Sequence, residues 1–301
     1  MGASSTNRIA IVIASVGRPT ELGRWVEHVR RQTVQPVSLV YSVTKPQDLP
    51  PQEQIPDHVT VLLSEPGLPI QRNAGIAAAI GSSDIIAFFD DDYVPSSYCI
   101  ADIDALFAAH PEIVGANGML LADGINSAGI DYDEAARLVA SRDAQPRDPA
   151  ISFQELGGLY GCNMVYRTSA IGEDRFDEKL PLYAWQEDID FAARIARRGR
   201  LVKTNAFYGV HQGVKGARLP GVRLGYSQIV NPIYLARKGT LPSGDAARMM
   251  IKNVLVNHFR APFPEPWIDR WGRAKGNWLA IWDIVRGRDH PRNILTFPNK
   301  R

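Results

Sequence analysis

Short apolar runs alternate with amphipathic stretches over roughly the first ninety residues. Arg8–Ala14 (RIAIVIA) is β-branched and apolar, and it ends in the small, turn-prone Ser15-Val16-Gly17-Arg18. This pattern predicts a buried strand leading into a loop. Pro19-Thr20 then opens a helix with Leu22, Trp25, Val26 and Val29 at helical spacing. Val37–Val43 and Val59–Leu63 are two more strand candidates, separated by the Pro-rich loop Lys45–Pro56. Pro69 to Ile80 is an Ala-rich helix stopped at Gly81, and Asp84–Phe89 (DIIAFF) is a fourth buried strand. The order strand, helix, strand, strand, helix, strand favours an α/β fold with a mainly parallel sheet flanked by helices.

The middle of the chain is less regular. Tyr98–Ala109 predicts a helix and Glu112–Leu121 a strand with a glycine turn. Asp123–Pro149 is polar and predicts a long loop. Asn163–Tyr166 predicts a short strand, Glu187–Arg198 a helix stopped at Gly199, and Leu201–Ala206 the last strand of the sheet. Beyond His211 the periodicity is helical, over Leu224–Arg237, Gly244–Phe259 and Trp267–Arg286. The expected organisation is an α/β domain over residues 1–215 and a helical C-terminal extension over 216–301. No internal repeat or low-complexity tract interrupts it.

The 301 residues can bury a sizeable core without staples. Two cysteines, Cys99 and Cys162, cannot build a disulfide framework and point to a reducing compartment. The segment Met1–Asn7 has no secretory pattern, and no apolar run approaches the ~18–20 residues that span a bilayer. The expectation is a soluble, cytoplasmic protein. A net charge of +2 argues against a uniformly basic nucleic-acid binder, and nucleic acid is not an expected partner. The charge is nonetheless uneven. From Arg248 to Arg301 there are eleven Lys and Arg against four Asp and Glu, while the first 247 residues hold 23 against 28. Four of the six Trp lie in the basic segment. A basic, Trp-rich tail on an acidic body suggests a surface that meets something anionic.

The sharpest chemical feature is Asp90-Asp91-Asp92 at the carboxyl end of a buried strand. Ligands of open α/β sheets sit just beyond such ends. Three adjacent carboxylates need a counter-charge, which Mg2+ or Mn2+ bridging to a diphosphate supplies. The bland alternative is a solvated turn in which one Asp caps a helix. The second feature is Trp185-Gln186-Glu187-Asp188-Ile189-Asp190-Phe191, with two carboxylates at a helix start. Glu187 or Asp188 either caps that helix or serves as a general base near an acceptor hydroxyl. His211 is the third feature, a structural imidazole or a third metal ligand beside Asp90 and Asp92. Arg72-Asn73 places a cation and an amide at a helix start, suited to a ribose or phosphate or to plain surface capping.

Taken in order, the N-terminal strand and loop, Gln71–Ile76 (QRNAGI), Phe88–Pro95 (FFDDDYVP), Gly161–Arg167 (GCNMVYR) and Trp185–Phe191 (WQEDIDF) resemble the inverting family-2 glycosyltransferases. The resemblance covers roughly residues 8–215. It implies the GT-A fold, which is Rossmann-like, a nucleotide-sugar donor and a divalent metal. It further implies that Ser15, Gly17 and Arg18 line the nucleotide pocket and that Arg72 helps close it. Asp90 matches the first Asp of a DxD motif, near ribose and metal, with Asp91 beside it among the nucleotide-sugar contacts. Asp92 matches the second Asp, a direct metal ligand. Asp188 matches the Asp of an ED pair, the expected catalytic base with Glu187 next to it, and His211 matches a metal-binding His. One departure stands out. The family carries an acid after its second strand that holds the nucleotide base, whereas Val40-Tyr41-Ser42-Val43-Thr44 has none. Ser42, Thr44 or main-chain groups are left to meet a uracil or thymine edge, so UDP- or dTDP-sugars are favoured over GDP-sugars.

Trp267, Trp271, Trp278 and Trp282 fall within about 60° of one another on a helix. The indoles either pack the extension against the catalytic domain or rest on an anionic bilayer through residues 260–290. Gly272 and Gly276 weaken the helix expectation. The likeness to polysaccharide-assembling transferases, whose acceptors are often lipid-linked, favours peripheral attachment to the inner face of the plasma membrane. The expected activity is an inverting, metal-dependent transfer of a hexose-type sugar from a nucleotide-diphospho-sugar to a glycan or lipid-linked oligosaccharide acceptor in polysaccharide biosynthesis. Trp185 offers a flat face for the acceptor sugar. A sugar nucleotidyltransferase would want a Gly-rich phosphate loop after the first strand, and SVGRPTEL has a single Gly. A non-catalytic membrane-associated scaffold of the same fold would not need DDD, ED and His together.

Overall fold

The computed structural model describes residues 7–146, 150–216 and 220–298. The described chain divides into two compact units. The first, which contains the whole sheet, comprises Met1–Glu65, Ile70–Arg175 and Ile195–Ala217. It begins with β1 (Ile9–Ser15), α1 (Pro19–Arg30), β2 (Ser38–Val43), β3 (Val59–Leu63), α2 (Leu68–Ala79) and β4 (Ile85–Asp90). There follow β5 (Tyr93–Pro95), α3 (Cys99–Ala109), β6 (Ile113–Asp123), α4 (Tyr132–Asp143), β7 (Phe153–Glu155), β8 (Asn163–Arg167), the short α5 (Thr168–Ile171) and β9 (Arg200–His211).

The strands form one mixed sheet in the order β3-β2-β1-β4-β8-β6-β9-β5, with β7 pairing β9. From β3 to β4 every pair is parallel, as is β6 with β9. β8 is inserted antiparallel between β4 and β6. β1 reads as an unbroken apolar run because both its faces are covered. Ile9, Ile11 and Ile13 join Leu22, Trp25 and Val29 of α1 and Ile103 and Phe107 of α3 in the main core. Val12 points the other way, where α2 approaches so closely that a Cβ on Gly75 would lie 2.3 Å from its Cγ1.

Three sequence expectations change here. Gly115 and Gly118 do not make a turn; β6 continues through them, and register shifts beside each let it follow β9. Their missing side chains admit Tyr166 and Phe207, whose ring carbons come within 2.4–2.9 Å of where Cβ atoms would be. The polar stretch after Asp123 is not one long loop but contains α4. Asp131 caps α4 by accepting the Asp133 amide, and Ala135 and Val139 bury its one apolar stripe. Residues 147–149 of that stretch lie outside the described residues. β9 runs five residues further than Ala206, so His211 ends the strand instead of following it.

The second unit comprises Pro66–Pro69, Phe176–Arg194 and Arg218–Arg301. Its helices are α6 (Glu187–Ile195), α7 (Gly221–Lys238), α8 (Ser243–Arg260) and α9 (Arg270–Val285). The glycines that weaken the helix expectation over α9 prove to be packing devices. At Gly276 a Cβ would stand 2.1 Å from the Val222 carbonyl oxygen, and at Gly225 one would stand 2.1 Å from that of Arg273. α7 and α9 therefore cross backbone to backbone. A buried polar network locks the third helix to this pair. The Asn257 amide donates to Gln228 and Asn277, Asn277 donates to the Gly225 carbonyl, and Arg270 joins Asn257 to Glu265.

Candidate metal centre

Asp90 is the last residue of β4, Asp91-Asp92 is a two-residue turn, and Tyr93 starts β5. An aromatic column supports this turn, with Trp25 stacked on Phe89 at 5.2 Å and Phe89 on Tyr93 at 5.0 Å. The Trp25 indole donates to the Asp91 carbonyl. β5 pairs antiparallel with the end of β9 in the register Tyr93 to His211, and the Gln212 amide donates to the Asp92 carbonyl. Strand pairing thus brings a histidine 119 positions away in the chain beside the acidic turn.

Ligand atoms of Asp90, Asp92 and His211 lie within 4.8 Å of one another. The His211 Nε2 faces an Asp92 Oδ1 at 3.4 Å and an Asp90 Oδ2 at 3.8 Å. Asp92 Oδ2 accepts the Val214 amide at 2.7 Å, but the buried Oδ1 has no hydrogen-bond partner. An orphaned buried carboxylate oxygen is costly unless a cation meets it. Two hard oxygens and an imidazole in this arrangement fit a divalent ion.

The other ring nitrogen of His211 is held by residues that the sequence analysis did not single out. Nδ1 lies 2.8 Å from Asp123 Oδ1 and 3.3 Å from the Tyr160 hydroxyl. A carboxylate on Nδ1 fixes the tautomer that leaves Nε2 facing the two aspartates. Burial works against a charged His211, but Asp123, Asp92 and Asp90 outweigh it and push its pKa up to about 10. The signal for Asp123 was hidden because it opens the stretch read as a loop, although it ends β6 alongside His211.

Asp91 points inward. Its two oxygens take the Ser15 hydroxyl at 2.6 Å and the Arg18 guanidinium at 2.8 Å. Arg18 also meets Asp92 at 3.5 Å and donates to the carbonyls of Val214 and Gly216. The counter-charge that three adjacent carboxylates demand therefore comes partly from the protein. Arg72 is buried and donates to Asp90 at 3.3 Å and to the Gly161 carbonyl at 3.0 Å. The structure brings Ser15, Arg18, Arg72, Asp90, Asp91, Asp92 and His211 together, with the first three holding the acidic turn.

An acid does follow β2, four residues beyond the stretch where it was sought. Asp48 is fully buried, and it accepts from the Gly17 amide at 2.8 Å and from the Thr44 hydroxyl at 2.7 Å. The Thr44 and Lys45 amides complete its shell. Asp48 ties the loop after β2 to the loop after β1. Ser42 is buried against Ser64, and Thr44 is committed to Asp48, so neither hydroxyl is offered to a nucleotide base. Gln71 performs a similar bridging task, donating to the carbonyls of Ser15 and Ser42.

The carboxylate pair belongs to the second unit. Glu187 is buried and Asp188 half-buried in the first turn of α6. The segment before them is strained: Leu182, Ala184 and Gln186 have φ of 59°, 50° and 74°. A non-glycine residue in this region costs roughly 1–3 kcal/mol. The strain is held by the Leu68 amide on the Leu182 carbonyl and by Asn231, which donates to the Trp185 carbonyl at 2.8 Å. Asp190 anchors the helix from below, accepting from Thr240 at 2.7 Å and from Lys238 at 2.9 Å. Trp185 is half-buried beside the pair.

The chain matches no protein-family model and no curated protein. Solved structures do resemble it. S. aureus TarS superposes with a TM-score of 0.51 at 13% identity, covering 85% of this chain and 44% of TarS. Its fragment TarS 1-349 gives 0.52 at 12% identity, over 93% of this chain and 83% of the fragment. GalNAc-T7 crystallised with UDP, GalNAc and Mn2+ gives 0.52 at 15% identity, over 99% of this chain and 59% of that one. The chain thus spans about half the length of the longer TarS structure and of GalNAc-T7. The fold is that of the GT-A glycosyltransferases, a mixed sheet flanked by helices.

Proposed function

We propose that this chain is an inverting, metal-dependent glycosyltransferase. It moves a sugar from a nucleotide-diphospho-sugar to a glycan or glycolipid acceptor in polysaccharide biosynthesis, as the family-2 resemblance suggests. The observation that carries the proposal is the cluster of Asp90, Asp92 and His211 at the carboxyl end of a parallel strand in a GT-A fold. The UDP and Mn2+ of the GalNAc-T7 structure support a uridine diphosphate donor and manganese here. An imidazole beside two carboxylates also suits Mn2+ better than Mg2+.

Bound by Asp90, Asp92 and His211, the cation would neutralise charge on the leaving diphosphate. Asp123 holds the His211 ring so that Nε2 faces the cluster, where a bound cation would displace the proton that the carboxylates otherwise keep on it. Arg18 and Asp91 fix the turn that carries Asp92. Asp188 is assigned the proton of the acceptor hydroxyl, whose oxygen forms the new bond to the anomeric carbon. The old bond from that carbon to the diphosphate oxygen breaks, and its electron pair leaves with the nucleoside diphosphate. The half-buried position of Asp188, against the buried Glu187, supports this assignment within the pair.

The test is donor hydrolysis with and without Mn2+, using a panel of UDP-, dTDP- and GDP-sugars. A transferase releases free nucleoside diphosphate only when the metal is present. A nucleotidyltransferase would release no nucleoside diphosphate and would instead form nucleoside triphosphate and sugar 1-phosphate once pyrophosphate is added, and no turnover with any donor would point to a scaffold.

A further inference from the structure

Two helices of the second unit expose an apolar surface that the chemistry above does not use. On α8, Ile251, Leu255 and Phe259 recur every four residues, all exposed, with Phe259 at 78%. At ~100° per residue they share one face with Arg248 and Lys252. On α9, Trp271, Trp278, Trp282 and Val285 are each more than half exposed, and Lys275 lies among them. Phe263, between the helices, is 88% exposed. The His258 and Trp278 rings meet edge-on at 5.8 Å, so the two stripes adjoin. The buried Asn257–Asn277–Gln228 network fixes this orientation from behind.

Charge identifies what such a face suits. Arg248, Lys252, Lys275 and Arg286 are exposed along it, and the Arg286 guanidinium lies 3.9 Å over the Trp282 ring. Of the described acids nearby, one offsets a cation of the face itself and the others are engaged elsewhere. Asp245 pairs with Arg248, Glu265 with Arg260 and Arg270, Asp269 caps α9, Asp283 holds Tyr226, and Asp289 pairs with Arg237. A second copy would set like charges against each other. The aliphatic Ile251, Leu255 and Val285 offer nothing to a nucleic-acid backbone. Indoles and long apolar side chains ringed by Lys and Arg suit the headgroup region of an anionic bilayer.

We propose that the joint face of α8 and α9 docks this protein on anionic phospholipid membranes. The sequence confined that role to residues 260–290; the geometry adds α8 to it. The attachment lies in the plane of the interface, since no described helix is long and apolar enough to cross a membrane.

The experiment is co-sedimentation of the full chain with phosphatidylcholine vesicles, with or without phosphatidylglycerol. Pelleting is expected only with the anionic lipid, and high salt should reduce it. Phe259→Ser with Trp271→Ser should lower partitioning at least tenfold while the melting temperature and donor hydrolysis stay unchanged. Lys252→Gln with Lys275→Gln, which touches no packing, should lower it about 25-fold, since each charge is worth about fivefold. Equal pelleting with neutral vesicles, or a folded serine variant that binds like the parent, overturns the proposal. So does self-association that the serine pair abolishes in a protein showing no vesicle binding, which would assign the face to a second copy.

Discussion

The two oxygens of Asp92 have different duties, and that difference makes the metal assignment testable. Oδ2 holds the Val214 amide, whereas Oδ1 is buried without a hydrogen bond. Asp92→Asn should abolish Mn2+-dependent turnover and Mn2+ binding by titration calorimetry, yet leave the circular dichroism spectrum intact. A near-parental rate at saturating Mn2+ would remove Asp92 from the ligand set. Asp123→Asn should weaken Mn2+ about 10–100-fold, the usual penalty for losing the partner of a ligating imidazole. For the carboxylate pair, Asp188→Asn should slow transfer by roughly 10²–10⁴ with little change in donor binding. If Glu187→Gln is instead the dead enzyme, the base is Glu187. A further residue reports on folding. His28 is buried against Trp25, and burial, reinforced by Arg31 and Arg24, pulls its pKa down to about 4. The unfolded chain gains that proton near pH 6.5 and the folded chain does not, so stability falls as pH drops from about 6.5 to about 4. The loss reaches about 3 kcal/mol. Denaturant melts of the parent and of His28→Phe across this range should show the slope shrinking in the variant.

Elements that carry their own apolar face or run were legible in the sequence; those too short to carry one were not. β1, α1, β3 and α2 fall within a residue or two of expectation because each carries its own apolar face or run. β5 and β7 are three residues each, too short for any period, and exist only because β9 offers them an edge. The same limit hid half of the candidate site. Asp90, Asp92 and His211 stood out as residue types after a strand, whereas Asp123 and Asp48 look like ordinary loop acids until β6 reaches β9 and the loop after β2 reaches Gly17. Glycine misled in the opposite direction. In an exposed helix Gly276→Ala should stabilise by up to ~1 kcal/mol. Here the added methyl meets backbone of α7 at Val222, so the expected sign reverses, with a loss of about 1–3 kcal/mol. Chemical denaturation of Gly276→Ala beside Gly244→Ala, where no atom lies within 4 Å of the added Cβ, separates the two effects.

At the scale of the whole chain, identities of 12–15% with the resembling structures show a shared fold and leave chemistry to the side chains. The uneven charge of the sequence acquires a location in this picture, since exposed cations of the final third crowd around exposed rings. That crowding has an optical consequence. Three of the six tryptophans, Trp271, Trp278 and Trp282, are more than half in solvent, while Trp25 is sealed in the sheet core at 1% exposure. Intrinsic fluorescence should therefore split into a red, quenchable population and a blue, protected one. Because Lys275 shares the stripe and Arg286 caps Trp282, the quenchable rings sit in a cationic atmosphere. Iodide should accordingly quench the red emission far better than caesium does, and added salt should level the two.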